Sequence, residues 1–367
     1  MTEKRIAIIG AGVAGLGPAW QLAKRGWTVE VFEAHRAGSG ASSKAAGMLA
    51  PVSEVTFMED QLLQLSRFSH SLYRRFIDEL EAESGLCLDY RDVGALLVAV
   101  DRDDAEKLEH LYQFQQKLNL PVQRLRGEEL RELEPGLSPT INYGLYCPED
   151  HQVDPKKLIE GLKIAFLRAG GSLHENSPIE EIGHANGKVQ TLLVNDEVLS
   201  FDQILLALGP WTRRIKGLPK GLLPHIRPVR GQMIALQLGN PPLLHHVVRG
   251  PDAYLVPRSD GRLIVGATME EKGFDPSQTA GGIMDLLVGA FEVLPGIYDA
   301  PILETWSGFR PISLQNEPLL GPSGLKGLFL SLGHGRNGIV LAPVTAYGLA
   351  SLIDGDQIFP ELHPFLP

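Results

Sequence analysis

The chain has 367 residues, 44% hydrophobic and 21% charged, which suits two connected domains better than a single core. Its 34 Lys and Arg against 44 Asp and Glu leave a net charge of −10, which argues against nucleic acid or an anionic membrane as main partner. No stretch reaches the roughly 20 apolar residues of a membrane span, no signal-peptide pattern opens the chain, and two cysteines make no disulfide framework. A protein of the reducing cytoplasm, without a transmembrane anchor, is expected.

Ile6–Ile9 reads as a buried parallel strand, about Val13–Arg25 as a helix closed by Gly26, and "WTVEVFE" as a second strand ending at Glu33. This βαβ unit carries a G-x-G-x-x-G at Gly10, Gly12 and Gly15. Gly10 permits a tight turn, Gly12 lets the backbone through Val13 and Ala14 approach a pyrophosphate, and Gly15 lets helix and strand close up. The positive end of the helix then faces the phosphates. Glu33, 18 residues beyond Gly15, suits a ribose diol. Pro18 is the misfit, because it removes the helical bond to the Ala14 carbonyl at a cost on the order of 3 kcal/mol. A kink or widened turn over Ala14–Pro18 is expected.

The small-residue stretch "AGSGASSKAAGMLAP" comes next, then one long helix from about Glu59 to Ser84. "YRDVGALLVAV" and "INYGLYCP" read as strands of a different sheet, with the helix "DDAEKLEHLYQFQQKLN" between them. In "VDPKKLIEGLKIAFLRAGG", Asp154 is an N-cap, Pro155 takes the first helical position, and Gly170 ends the helix. "FDQILLALGPW" is a buried strand stopping at Gly209. From Pro228 to about Arg310 strands alternate, with one helix near Ser277–Val293. His245 and His246 point apart if they lie on a strand, and none of the 11 histidines has metal-ligand spacing, so no metal site is expected. "GLFLSLGHGRNGIVLAPVTAYGLASLI" closes the chain as strand, glycine turn and a helix from near Asn337.

These elements define an α/β fold, a Rossmann-like dinucleotide domain interleaved with an antiparallel α+β substrate domain. Residues 1–85, 150–219 and 314–367 are assigned to the first, and 86–149 and 220–313 to the second. The fingerprint alone serves NAD or FAD. A second bare-backbone approach at Gly209, and a second glycine turn at Gly333, His334, Gly335, Arg336, Asn337, Gly338 and Ile339, favour the longer flavin dinucleotide. The final helix would aim its N-terminus at the flavin ring.

"GAGVAGL", "VFE", "SSKAAGMLAP", "YLVPRSDGRLIVGATM", "SGFRP" and "GHGRNGIVLAPVTA" together resemble the D-amino-acid oxidase family of flavoproteins, nearest its glycine-oxidising members in thiamine biosynthesis. The resemblance spans essentially the whole chain. It implies non-covalent FAD, held also by Ser42, Ser43, Ala46, Gly47 and Met48. It implies oxidative deamination of glycine or another small amine by hydride transfer, dioxygen as acceptor, and an imine that hydrolyses to glyoxylate or feeds thiazole synthesis. The family often forms symmetric oligomers, although the oligomeric state itself is not legible in the sequence.

The resemblance also implies one arginine gripping the substrate carboxylate, carried here by Arg310 in "SGFRP", and a guanidinium fork matches a carboxylate bidentately. Tyr254 and Met269 match substrate-pocket positions, and Met48 and Arg336 match positions near the flavin. Asp260-Gly261 is a hairpin-turn dipeptide. A two-residue turn pairs Ser259 with Arg262, Tyr254 with Ala267 and Asp252 with Met269, which puts the last four on one face. Asp252 stands where comparable glycine oxidases carry histidine, which argues against strict glycine preference. The C-terminal half has no cysteine for a cysteinyl-flavin link. With no His or Glu candidate in the pocket, no protein base is expected. Competing readings are an amino-acid dehydrogenase with a quinone or other acceptor, a tRNA-modifying flavoprotein domain, and a structural FAD-binding protein.

Overall fold

Ile6–Ile9 is buried because its strand, Arg5–Ile9, runs between two parallel neighbours, Gln203–Leu206 and Thr28–Phe32. The computed structural model describes residues 4–57, 59–239 and 242–367, so residues 1–3, 58, 240 and 241 lie outside it. In spatial order the six-stranded sheet reads Leu319–Pro322, Leu328–Leu332, Gln203–Leu206, Arg5–Ile9, Thr28–Phe32 and Ser172–His174. All pairs are parallel except the first. Helices Val13–Lys24, Pro155–Arg168 and Ala342–Asp354 pack on it around the buried Trp20, Phe76 and Phe166.

An eight-stranded sheet forms the second layer system. Its order is Ile302–Ile312, Arg227–Gln237, Arg262–Gly266, Tyr254–Pro257, Val247–Arg249, Ala95–Val98, Tyr143–Cys147 and Gln123–Arg126. It is antiparallel apart from the pair Val247–Arg249 with Ala95–Val98. Helix Ala280–Val293 covers one face through Leu286, Ala290 and Val293. Among the described residues no helix is long and apolar enough to cross a membrane.

The cap of the helix Pro155–Arg168 is as read: the Asp154 carboxylate accepts from the Lys156 and Lys157 amides, and Gly170 has φ +89°. Several expectations are corrected. The long helix is two, Asp60–Ser71 and Tyr73–Ser84, because the Leu72 amide bonds three residues back to Ser69 and the Ser71 hydroxyl takes the Phe68 carbonyl. The last helix starts at Ala342, not near Asn337, and the amide bonds of Leu341 to Asn337 and of Ala342 to Ile339 anticipate it. A three-stranded meander, Ile179–Ala185, Lys188–Val194 and Glu197–Ser200, was not expected at all. Its signal was present: Asn186-Gly187 and Asn195-Asp196 all have positive φ, as two-residue hairpin turns require.

His245 and His246 do not point apart. They lie in a bend, and both amides donate to the fully buried Glu134 carboxylate, which also takes the His246 ring at 2.7 Å. The helix Val13–Lys24 is continuous through Pro18. The Ala14 carbonyl that loses its helical donor is instead met by the Ser331 hydroxyl, 2.8 Å away on the strand Leu328–Leu332. The lost bond is remade from the sheet.

Candidate active site

At the end of Arg5–Ile9 the chain turns at Gly10, with φ +107° and a place for Cβ only 2.4 Å from the Ala207 carbonyl oxygen. A Cβ on Gly15 would lie 2.0 Å from the Gly10 carbonyl oxygen, so helix and strand can close only without one. The first helix therefore delivers its N-terminus to the edge of a cavity of about 890 Å³. Gly10, Gly12, Val13 and Ala14 line it there, and the Val13 amide donates to Ser42 Oγ at 3.0 Å. Glu33 stands across the turn, its carboxylate fixed by the Ala11 and His35 amides at 2.9 and 3.1 Å.

The cavity continues past Ser42, Ala46, Gly47 and Met48 to Gly209, and past His334, Gly335, Arg336, Gly338 and Ile339. Gly209 has φ +53° and open space where a side chain would stand. Gly15 and Ser43, in the helices Val13–Lys24 and Ala41–Lys44, and Gly333 and Asn337, in the loop before the last helix, are not in the wall. His334 is buried with Nε2 3.2 Å from Thr345 Oγ1, and burial lowers its pKa to about 4, so the ring is neutral.

At the far end the expected hairpin register is off by one. The Arg258 amide donates to the Arg262 carbonyl, and Gly261 has φ +86°, so Ser259, Asp260 and Gly261 form a three-residue turn. The Asp260 carboxylate holds this turn by accepting from the Arg262 amide and Nε. Tyr254 consequently pairs with Gly266, not Ala267. The slip has a use, since a Cβ on Gly266 would stand 2.7 Å from the Tyr254 ring. Asp252 and Met269 fall outside the ladder; both are exposed and line the cavity at its rim.

Arg310 lies on the strand Ile302–Ile312 opposite Val229. Its Nη1 donates to the Thr268 carbonyl at 3.1 Å, and its guanidinium lies over Gly231, where a Cβ would be 2.4 Å from Nη1. Burial pushes the Tyr254 hydroxyl's pKa up, while the Arg310 guanidinium beside it pulls the other way. The structure thus brings Arg310 and Tyr254 together over two glycines on neighbouring strands of the second sheet.

The sequence reading missed an ion-pair network in the same wall. Arg249, the cross-strand partner of Tyr254, binds Glu54 at 2.5 Å. Arg336 reaches Glu54 through both its carbonyl (3.1 Å) and its carboxylate (3.6 Å), and Glu59 at 2.9 Å. Buried Asp150 accepts the Val52 and Ser53 amides and so fixes the turn that carries Glu54; burial pushes its pKa up to about 7. The cavity therefore does contain a glutamate, contrary to the expectation of none. No motif in "PVSEV" marks it. Trp211 and Phe309 of the wall clasp Phe274 between them, and Arg214 lies over that ring.

A helix N-terminus, a fixed carboxylate 22 residues from the turn it faces, bare backbone at Gly12 and Gly209, and a long cavity between them fit FAD. Residues 5–352 match the family described as FAD dependent oxidoreductase. The chain belongs to this family of FAD-dependent oxidoreductases. The oxidoreductase is 34% identical to glycine oxidase of Geobacillus kaustophilus over 98% of this chain and 95% of that one. The crystal structure of that glycine oxidase superposes with a TM-score of 0.92, covering 99% and 98% of the two chains. It is also 33% identical to the bifunctional protein ThiO/ThiG of Synechocystis sp., over its whole length but only 54% of that relative. The oxidoreductase thus spans about half of such bifunctional relatives and nearly all of the glycine oxidases.

Proposed function

We propose that the protein oxidatively deaminates glycine or another small amino acid, with dioxygen as final acceptor and hydrogen peroxide as product. The observation that carries this is the meeting of Arg310 and Tyr254 in one cavity wall above Gly231 and Gly266. A planar guanidinium offers two parallel N–H donors to a carboxylate, and the phenol adds a third donor. Held at that end, a small amino acid has its Cα–H turned into the cavity, and orientation of this kind removes much of the entropic barrier. Met269 at the rim limits the side chain that fits. Bound FAD supplies the two-electron acceptor. The first helix's N-terminus with Gly12 would hold its phosphates, Glu33 its ribose, and the Gly335–Ile339 turn its ring end. The imine released hydrolyses to glyoxylate or is passed to thiazole formation.

A panel of glycine, sarcosine and small D-amino acids, scored by peroxide release, tests the reading. Arg310→Ala should raise the KM for the best substrate about 100-fold or more, as loss of a charge-assisted fork implies. An unchanged KM removes Arg310 from the site. Reduction of a dye without peroxide in air would favour a dehydrogenase.

A further inference from the structure

Glu54 has no part in holding the cofactor or the carboxylate, yet it lines the same cavity as Arg310 and Tyr254. Its position follows from the ladder: Arg249 is directly opposite Tyr254, and Glu54 is bound to Arg249 at 2.5 Å, so its carboxylate is one strand away from the phenol. Both the positive charge of Arg310 and the negative charge of Glu54 are felt at the Tyr254 hydroxyl, in opposite senses. Asp150 anchors the turn from behind through two amides, and Arg336 grips the Glu54 carbonyl, so the side chain starts from a rigid backbone. A side chain held this firmly, with 19% exposure toward the cavity, is set as a fixed charge.

An α-amino acid is a zwitterion whose two charges are a few ångströms apart. We propose that Glu54 binds the substrate's ammonium group, so that the cavity reads both ends of the amino acid, with Arg310 and Tyr254 at one end and Glu54 at the other. The proposal rests on the reading of Arg310 above. Asp252 is the competing carboxylate, but it is exposed at the rim, and its Cβ packs against Gly289 of the helix Ala280–Val293. Arg249 and Arg336 hold the Glu54 carboxylate in place. They bind it through one carboxylate oxygen each, which leaves other lone pairs for a substrate N–H.

The test pairs a substrate with its amine-free analogue. Wild-type turnover of glycine, or of whichever small amino acid proves best, is established first, and its absence would count against the functional reading itself. Glu54→Gln keeps the shape and the bond to Arg249 but removes the charge. We expect the variant's KM for glycine to rise about tenfold or more while the inhibition constant of glycolate changes less than about twofold or improves. Equal weakening of glycine and glycolate would mean that Glu54 only supports the wall, and no weakening of either would overturn the role outright. If Glu54→Gln fails to retain FAD, Glu54→Asp draws the charge back by one methylene. The same glycine-specific loss is then expected, and its absence refutes the proposal. Arg310→Ala, by contrast, should weaken both ligands together.

Discussion

Replacing Ser331 by Ala removes one oxygen atom and tests how the first helix tolerates its proline. Ser331 is 1% exposed, and its hydroxyl donates to the Ala14 carbonyl at 2.8 Å. Pro18 has no N–H, so this carbonyl lacks its ordinary helical donor four residues on. Taking the hydroxyl away leaves a buried acceptor unpaired, at a cost of about 1–3 kcal/mol. Pro18→Ala restores an N–H four residues on, and in that background the hydroxyl becomes redundant. Ser331→Ala should then cost only about 0.5–1 kcal/mol, giving a coupling of about 1–2 kcal/mol in the double-mutant cycle. Urea unfolding of the four variants, followed by circular dichroism with and without saturating FAD, measures it. If the two substitutions add within about 0.5 kcal/mol, the Ser331 bond is no substitute for the helical one and the reasoning fails.

Gly231→Ala places a Cβ 2.4 Å from Arg310 Nη1, the free end of a flexible side chain. The fold and the flavin spectrum should survive while KM for the amino-acid substrate rises about 10- to 100-fold, a displacement effect that a substrate titration reads directly. Gly15→Ala instead sets a Cβ 2.0 Å from the backbone oxygen of Gly10, which cannot swing aside. Purified protein should be colourless or unfolded; a normally yellow variant would contradict the close helix–strand approach. His334 has a folded pKa of about 4 against 6.5 unfolded, so the unfolded chain takes up the extra proton between those values. Its contribution to stability is complete above pH 6.5 and falls as pH drops toward 4, by about 3 kcal/mol in all. Denaturation curves at pH 7 and 4.5 should show a smaller loss for His334→Asn than for the native chain.

What the residues determined on their own was local. The turn at Gly10, the Asp154 cap with Pro155 behind it, and the stop at Gly170 are decided by φ preferences and by donors two or three residues away. The fingerprint and Glu33 were legible for the same reason: one βαβ unit brings them together without help from the rest of the chain. The family resemblance then pointed to Arg310 and Tyr254. The tertiary structure decided what depends on distant neighbours. The hairpin register is not among these, because the Asp260 side chain and a left-handed Gly261, both inside the turn, favour three residues there, and that register sets Tyr254 over a glycine. Glu54 meets Arg249 across 195 residues, and Ser331 repairs the Pro18 helix across 317 from Ala14. His245 and His246 converge on Glu134 from more than 100 residues away. No local propensity encodes such pairings, because a buried charge or carbonyl takes whichever partner the packed sheets bring to it.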